Sequence, residues 1–331
     1  TCALPISAAY YLERIVRIYP YNADFLKDVA WFIDNYLADY GKALEYYQQA
    51  LACAQEEHGE VSEKTGELTE WIALTYDHLG NADQSLEWHS KAIGIYEQTI
   101  GTENPGAALV YTHIGRIYIQ KGELEKALEY TIKGLEIRER TIANKDDQYF
   151  SQSYNNLGVI YTDMKEYDKA MEYHKKAMEM RERKLDPYHD ATALSYLNIG
   201  SLYYKTSNND SALVYYQKAL EAYQRLFGPN HPNTLRALTY ISSLHKEMGN
   251  YNQAMEYGQQ ALSSSEHHYG PDSNQTASCL SEIAQIYAKV GEIAKAKEYY
   301  LRALDIYEKN GAITSEQAEQ ARERIQNNEL Q

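Results

Sequence analysis

The sequence predicts an all-α solenoid of about seven antiparallel helix-turn-helix units over residues 8–310. Three observations point there: a phrase that recurs about every 42 residues, two apolar stripes of helical period inside each recurrence, and glycines and prolines that recur in the connections between the stripes. Each element follows from one of these.

The second helix of each unit, helix B, carries the strongest signature. The phrase x-x-Ala-Leu-x-Tyr-Tyr-x-x-Ala-Leu places its first small residue at Ala43, Ser85, Ala127, Ala170, Ala212, Ala254 and Ala296, at spacings of 42, 42, 43, 42, 42 and 42. Seven residues later comes another small residue, from Ala50 to Ala303, and three later an aromatic in every unit: Tyr46, Trp88, Tyr130, Tyr173, Tyr215, Tyr257 and Tyr299. Offsets of 0, 3 and 7 share one face of an α-helix, so these residues form a buried stripe. Upstream, the first helix, helix A, repeats its own stripe at −16, −13, −12 and −9, as in Tyr154, Leu157, Gly158 and Tyr161 or Tyr196, Ile199, Gly200 and Tyr203. Gly115, Gly158 and Gly200 fall inside a helix, where glycine costs about 1 kcal/mol against alanine, so the backbones of helices A and B must approach closely there.

Gly80, Gly122, Gly249 and Gly291 end helix A. Pro20, Pro105, Pro187, Pro229, Pro232 and Pro271 fall in the connections between units, and no predicted helix interior holds a proline. Six heptads also make 42, but glycines and prolines at these positions would break a long coiled coil twice per period. Thirty-three tyrosines beside four phenylalanines read as structural: a ring packs in the seam while its hydroxyl reaches water or a carbonyl.

Small-x-x-Tyr in helix A, followed by two alanines seven apart in helix B, resembles the tetratricopeptide repeat (TPR). The 42-residue unit and Phe227-Gly228-Pro229-Asn230-His231-Pro232-Asn233-Thr234, partly repeated at Tyr269-Gly270-Pro271-Asp272, are similar to the kinesin light chain subtype. The resemblance implies a right-handed superhelical solenoid and covers residues 8 to about 310. It departs at Trp31 and Asp34, which replace the small residue and tyrosine of unit one, and at His245, which replaces the tyrosine of unit six; either those units are distorted, or the first is mispositioned. Residues 1–7 match the translation of a sequencing-adapter end and are set aside as a scar. Residues 8–19 read as the rest of a helix B, so the chain is expected to be cut inside a repeat. Residues 311–331 read as a polar helix capping the array.

With 32 basic and 47 acidic residues, the net charge of −15 opposes binding to nucleic acid or anionic membrane and favours basic partners. No apolar run reaches the ~18 residues of a membrane helix. Cys2, Cys53 and Cys279 form no C-x-x-C pair, and a cytoplasmic location is expected. The chain contains no phosphate-binding loop, dinucleotide fingerprint, H-E-x-x-H or G-x-S-x-G, so neither catalysis nor a cofactor is expected. His189, His231, His267 and His268 lack an acid or thiol at ligand spacing, and linker histidine belongs to the resembled pattern.

The resemblance directs attention to the face of helix A as a peptide-binding groove. Offsets −18, −14, −11 and −7 lie together, away from the packed stripe. In units three to six they hold Leu109, His113, Arg116 and Gln120; Gln152, Asn156, Val159 and Asp163; Leu194, Asn198, Ser201 and Lys205; Arg236, Tyr240, Ser243 and Glu247. Arg116, Lys205 and Arg236 outnumber Asp163 and Glu247, an exception in an acidic chain. The expected ligand is therefore a protein or extended peptide with acidic or carboxylate groups. Asn156 and Asn198 match the asparagine with which TPR proteins hold a peptide backbone. The candidate contacts are His113, Arg116, Gln120, Gln152, Asn156, Asn198, Ser201, Lys205, Arg236 and Tyr240. In units one and two, Glu67, Glu70, Trp71 and Asp77 suit a basic or aromatic partner instead. The leading expectation is a protein- or peptide-binding scaffold. The alternatives are the sensory arm of a larger signalling enzyme, a sensor kinase or caspase-like protease, and self-association through open array ends.

Overall fold

Each 42-residue period folds into two antiparallel helices because its two stripes can be buried only on each other and on the next period. The computed structural model describes residues 14, 16, 18, 21–143, 148–312 and 315–326, so the expected adapter scar and partial helix 8–19 lie essentially outside the described residues. The chain divides into two compact units, Thr1–Lys165 and Glu166–Gln331. The first holds α1 (Ala23–Phe32), a π-helical turn (Ile33–Leu37), α2 (Tyr40–His58), α3 (Glu63–His78), α4 (Ala82–Thr99), α5 (Pro105–Gln120), α6 (Leu124–Thr141) and α7 (Gln148–Asp163). The second holds α8 (Tyr167–Lys184), α9 (Asp190–Lys205), α10 (Asn209–Phe227), α11 (Pro232–Glu247), α12 (Tyr251–Tyr269), α13 (Asn274–Lys289), α14 (Ile293–Lys309) and α15 (Glu316–Gln326). Among the described residues there is no strand, and the architecture is an all-α repeat solenoid.

The hairpins are α1/α2, α3/α4 and α5/α6 in the first unit and α9/α10, α11/α12 and α13/α14 in the second. The helix B alanines Ala43, Ala127, Ala170, Ala212, Ala254 and Ala296 are fully buried. At Gly200 a Cβ would stand 2.6 Å from Tyr216 Cδ1, and at Gly115 it would stand 3.2 Å from the Ala127 carbonyl oxygen, which is the close approach the glycines require. Where helix A keeps Ser242, its hydroxyl donates to the Ala254 carbonyl at 2.8 Å; where helix B starts its stripe with Ser85, that hydroxyl donates to the Ala73 carbonyl at 2.8 Å. Each of these two hydroxyls returns a hydrogen bond across the seam.

The turn between helices A and B places one residue in the left-handed region in every unit. The residue five before each helix B small residue has positive φ, not only Gly80, Gly122, Gly249 and Gly291 but also Ala38 (52°), Lys165 (63°) and Ser207 (61°). After each of the four glycines and after Ser207, the following amide bonds back to the carbonyl of offset −9, as in Asn81 to Tyr76 (2.9 Å) and Asn208 to Tyr203 (2.9 Å). This closes the helix with a left-handed residue.

Unit six is not distorted by His245. In four other hairpins the offset −9 ring faces the offset +3 ring: Tyr76 with Trp88, Tyr118 with Tyr130, Tyr203 with Tyr215, and Tyr287 with Tyr299. His245 lies parallel to Tyr257 at 5.7 Å and so keeps the pair. Unit one does depart. Leu26, Val29 and Ala30 are buried while Trp31 is 41% exposed, a stripe displaced by one residue from the other units. The π-helical turn Ile33–Leu37 takes up that extra residue, as π-bulges do. Asp34 is thereby buried and accepts from Thr75 Oγ1 (3.3 Å) and meets His78 Nδ1 at 2.9 Å. Of the expected cap over residues 311–331, α15 is present and buries Ala318 and Ala321 on the α14 side.

Candidate functional site

The face of helix A is assembled by a second set of pairs. The offset +4 residue of one helix B lies under the offset −14 residue of the next helix A: Tyr47 under Trp71 (5.8 Å), His89 under His113 (5.7 Å) and Tyr216 under Tyr240 (5.3 Å). A residue on the helix A face is thus held by the preceding repeat.

In the first unit this face is largely neutralised. Arg116 pairs with Asp77, whose carboxylate is buried, so the cation assigned to the groove from the sequence is committed within the protein. Burial, with His89 and Arg116 beside it, keeps His113 well below the ordinary imidazole range, and burial, with Arg116 nearby, takes His89 down to about 3. Both act as neutral plates. Gln120 is exposed and Gln152 half-buried. Asn156 is buried, and its side-chain nitrogen has no hydrogen-bond partner. Glu67, grouped in the sequence with a basic partner, already receives Lys27 at 2.9 Å and Lys64 at 3.3 Å. Glu70 is buried with Tyr96 OH donating at 3.0 Å, and burial pushes its carboxyl up to about 7.

The second unit is different. Two clefts, of about 400 and 410 Å³, open along α9, α11 and α13 and share Tyr240 as their common wall. The first is lined by Ser201, Tyr204, Lys205, Tyr216, Ser243 and Leu244; the second includes Pro232, Asn233, Leu235, Arg236, Tyr269 and Glu282. Four sequence candidates, Ser201, Lys205, Arg236 and Tyr240, are therefore brought together, and Asn198 is half-buried on α9. Lys205 and Arg236 are exposed, and neither pairs with a carboxylate among the described residues.

The acidic groups nearby are occupied. Glu282 accepts from Lys246 Nζ at 2.8 Å and Ser243 Oγ at 2.6 Å, and Glu247 accepts from the Tyr204 hydroxyl. Tyr216 OH donates to Ser201 Oγ at 3.2 Å. Burial first, and then the neighbouring carboxylate, pushes the Tyr204 phenol up to about 12. These tyrosines spend their hydroxyls inside the protein and leave ring area toward the clefts. Glu282 and Ser278 hold in the seventh unit the offsets used for units three to six, so the same offset rule carried one repeat further finds them. Tyr204 and Tyr216 lie at other offsets, and only the packing shows them.

No group of metal-binding side chains occurs among the described residues, and no helix among them is long and apolar enough to cross a membrane. The tetratricopeptide repeat family model matches residues 64–140, 149–224, 196–267 and 264–309. No curated protein matches the chain. Among solved structures, BtubC (BKLC) from P. vanneervenii is similar, at 17% identity and TM-score 0.55, over 82% of this chain and 93% of that one. A Podosopora anserina putative kinesin light chain with nearly identical TPR-like repeats superposes with TM-score 0.56 at 16% identity, over 63% of this chain and 98% of that one. The APC/C hetero-tetramer Cut9-Hcn1 gives TM-score 0.61 at 17% identity, over 83% of this chain but 46% of that one. At these identities the likeness is one of fold.

Proposed function

Because the chain belongs to the tetratricopeptide repeat family, whose members generally mediate protein–protein interaction, we propose that it binds a protein segment bearing acidic or carboxylate groups in the groove of the second unit, along α9, α11 and α13. The observation that carries this reading is the pair of clefts meeting at Tyr240, with Lys205 beside one and Arg236 beside the other, both without a carboxylate partner, while Glu282 is neutralised by Lys246. An extended peptide carries side chains to both clefts on its way past Tyr240. Its carboxylates meet the two cations, and the phenol faces cover its apolar atoms. Asn198 supplies an amide on the same face for a peptide backbone. In the first unit, Asn156 has a buried donor that a ligand carbonyl would satisfy, since a buried polar group without a partner is uncommon. The net charge of −15 repels acidic proteins at a distance, so the groove selects for short acidic segments presented at close range.

A random peptide library selected on the full chain tests this. The enriched peptides should be rich in Asp and Glu. Their affinity should fall by about tenfold for each of Lys205→Glu and Arg236→Glu, the equivalent of about 1.4 kcal/mol, and should weaken with salt. Val214→Glu, at an exposed position on α10, should leave affinity unchanged. Basic or uncharged peptides, or indifference to both charge reversals, would refute the reading.

A further inference from the structure

We propose that α11, the helix that carries Arg236 and Tyr240, is fixed at its N-terminus by a proton-operated cap, so that the rim of the groove loosens between neutral and mildly acidic pH. The proposal concerns regulation of the groove and rests, for its effect on a ligand, on the reading given above.

The caps themselves are explicit. His189 Nδ1 accepts the Ala191 amide at 3.1 Å, and His231 Nδ1 accepts the Asn233 amide at 3.2 Å. Four other helices of type A are capped by groups that do not titrate near neutrality: Asn22 on α1, Ser62 on α3, Asn104 on α5 and Ser273 on α13. An imidazole can accept at Nδ1 only while that nitrogen is unprotonated, with the ring hydrogen on Nε2. Protonation turns the acceptor into a donor that points at a backbone N–H, and it adds a positive charge at the positive end of the helix.

Around His231, the Phe227 ring of α10 lies nearly parallel at 4.1 Å, and His268 of α12 stands at 6.5 Å. Asp190 of α9 is the nearest opposing charge. Burial, and then His268, hold His231 below the ordinary imidazole range, against the smaller opposite pull of Asp190. The sign is consistent: a histidine whose folded value is depressed contributes stability above its unfolded value and loses it as the pH falls. His189, the cap of α9, is exposed, and Arg181 of α8 donates to the Ala191 carbonyl at 2.9 Å. In both connections a threonine hydroxyl ties the first turn to a preceding carbonyl, Thr234 to Gly228 at 2.8 Å and Thr192 to Asp186 at 3.4 Å. The turn is therefore held at two points, and only one of them responds to protons.

The position of the cap gives it a consequence for binding. Pro232 and Asn233, the first two residues of α11, line the cleft beside Arg236. Loss of the cap frays that rim one turn before the cation. The added imidazolium charge would itself attract an acidic ligand, but a cap is worth about fivefold or more in the local equilibrium, whereas a single screened surface charge is worth less. Acid therefore weakens binding.

Amide exchange of the full chain at pH 7.5 and 5.0, corrected for the intrinsic rate, decides the point without a ligand. Protection of Asn233, Thr234 and Leu235 should fall about fivefold at pH 5.0 in the wild type. It should remain unchanged in His231→Asn, which keeps a capping acceptor that does not titrate. A wild type with equal protection at both pH values, or a His231→Asn protein that loses as much as the wild type, overturns the proposal. A selected acidic peptide should also bind the wild type more weakly at pH 5.0 than at 7.5 but bind His231→Asn equally at both. If such a peptide binds neither protein at pH 7.5, the groove reading fails while the exchange result still decides the cap.

Discussion

At the scale of single residues, identity is set by what stands opposite. Gly200 is a glycine because the Tyr216 ring and the Ala212 carbonyl occupy the space its Cβ would need. Gly200→Leu should therefore lower stability by about 1 to 3 kcal/mol or more through overpacking, measured as a lower denaturation midpoint with helical content retained; an unchanged midpoint would mean that the A/B seam is looser than the structure has it. Such positions were legible in the sequence because a steric demand repeated in every unit leaves the same residue each time. Pairing over long separations was not. Arg116 counts as a groove cation in the sequence, yet it faces Asp77, 39 residues earlier and one repeat away. Charge alone does not tell a committed side chain from an available one, whereas Lys205 and Arg236 keep their charge for the groove.

At the scale of helices, the ring pairs link each repeat to the next, and the choice of ring decides how the link responds to pH. His89 is fully buried, and burial takes its imidazole down to about 3, so the folded state excludes a proton that the unfolded chain binds near 6.5. Stability is thus complete above about 6.5 and lost as the pH falls, by about 2 kcal/mol at pH 5 for this one group. His89→Phe keeps a ring under His113 and should remove that acid-sensitive part, so its midpoint should fall less than that of the wild type between pH 7.5 and 5.0. Equal falls would show that His89 is hydrated or protonated in the folded protein. The sequence identified both helices of each unit and the turns between them but expected distortion at His245, where the structure keeps the ring pair with Tyr257. It also left unit one unresolved, because one extra residue absorbed by a π-helical turn shifts the stripe that periodicity follows. Trp31 and Asp34 looked like failures of the pattern; Ala30 fulfils it one residue earlier.

At the scale of the whole molecule, repetition separates stability from recognition. Every hairpin buries a small residue at the start of its helix B stripe, and so the residues that vary between repeats on the helix A face are free to differ in charge and size. That variation makes the first unit largely self-neutralised and leaves Lys205 and Arg236 without a carboxylate partner among the described residues on the second. The central claim is that the second unit's helix A face, and not the outer surface of helix B, meets the partner. The most direct measurement places a photo-crosslinking residue at Tyr240 in one full-length protein and at Val214 in another, then irradiates each with a selected acidic peptide. The account predicts an adduct at position 240, suppressed by Arg236→Glu, and none at position 214. An adduct at 214 with none at 240 would contradict it.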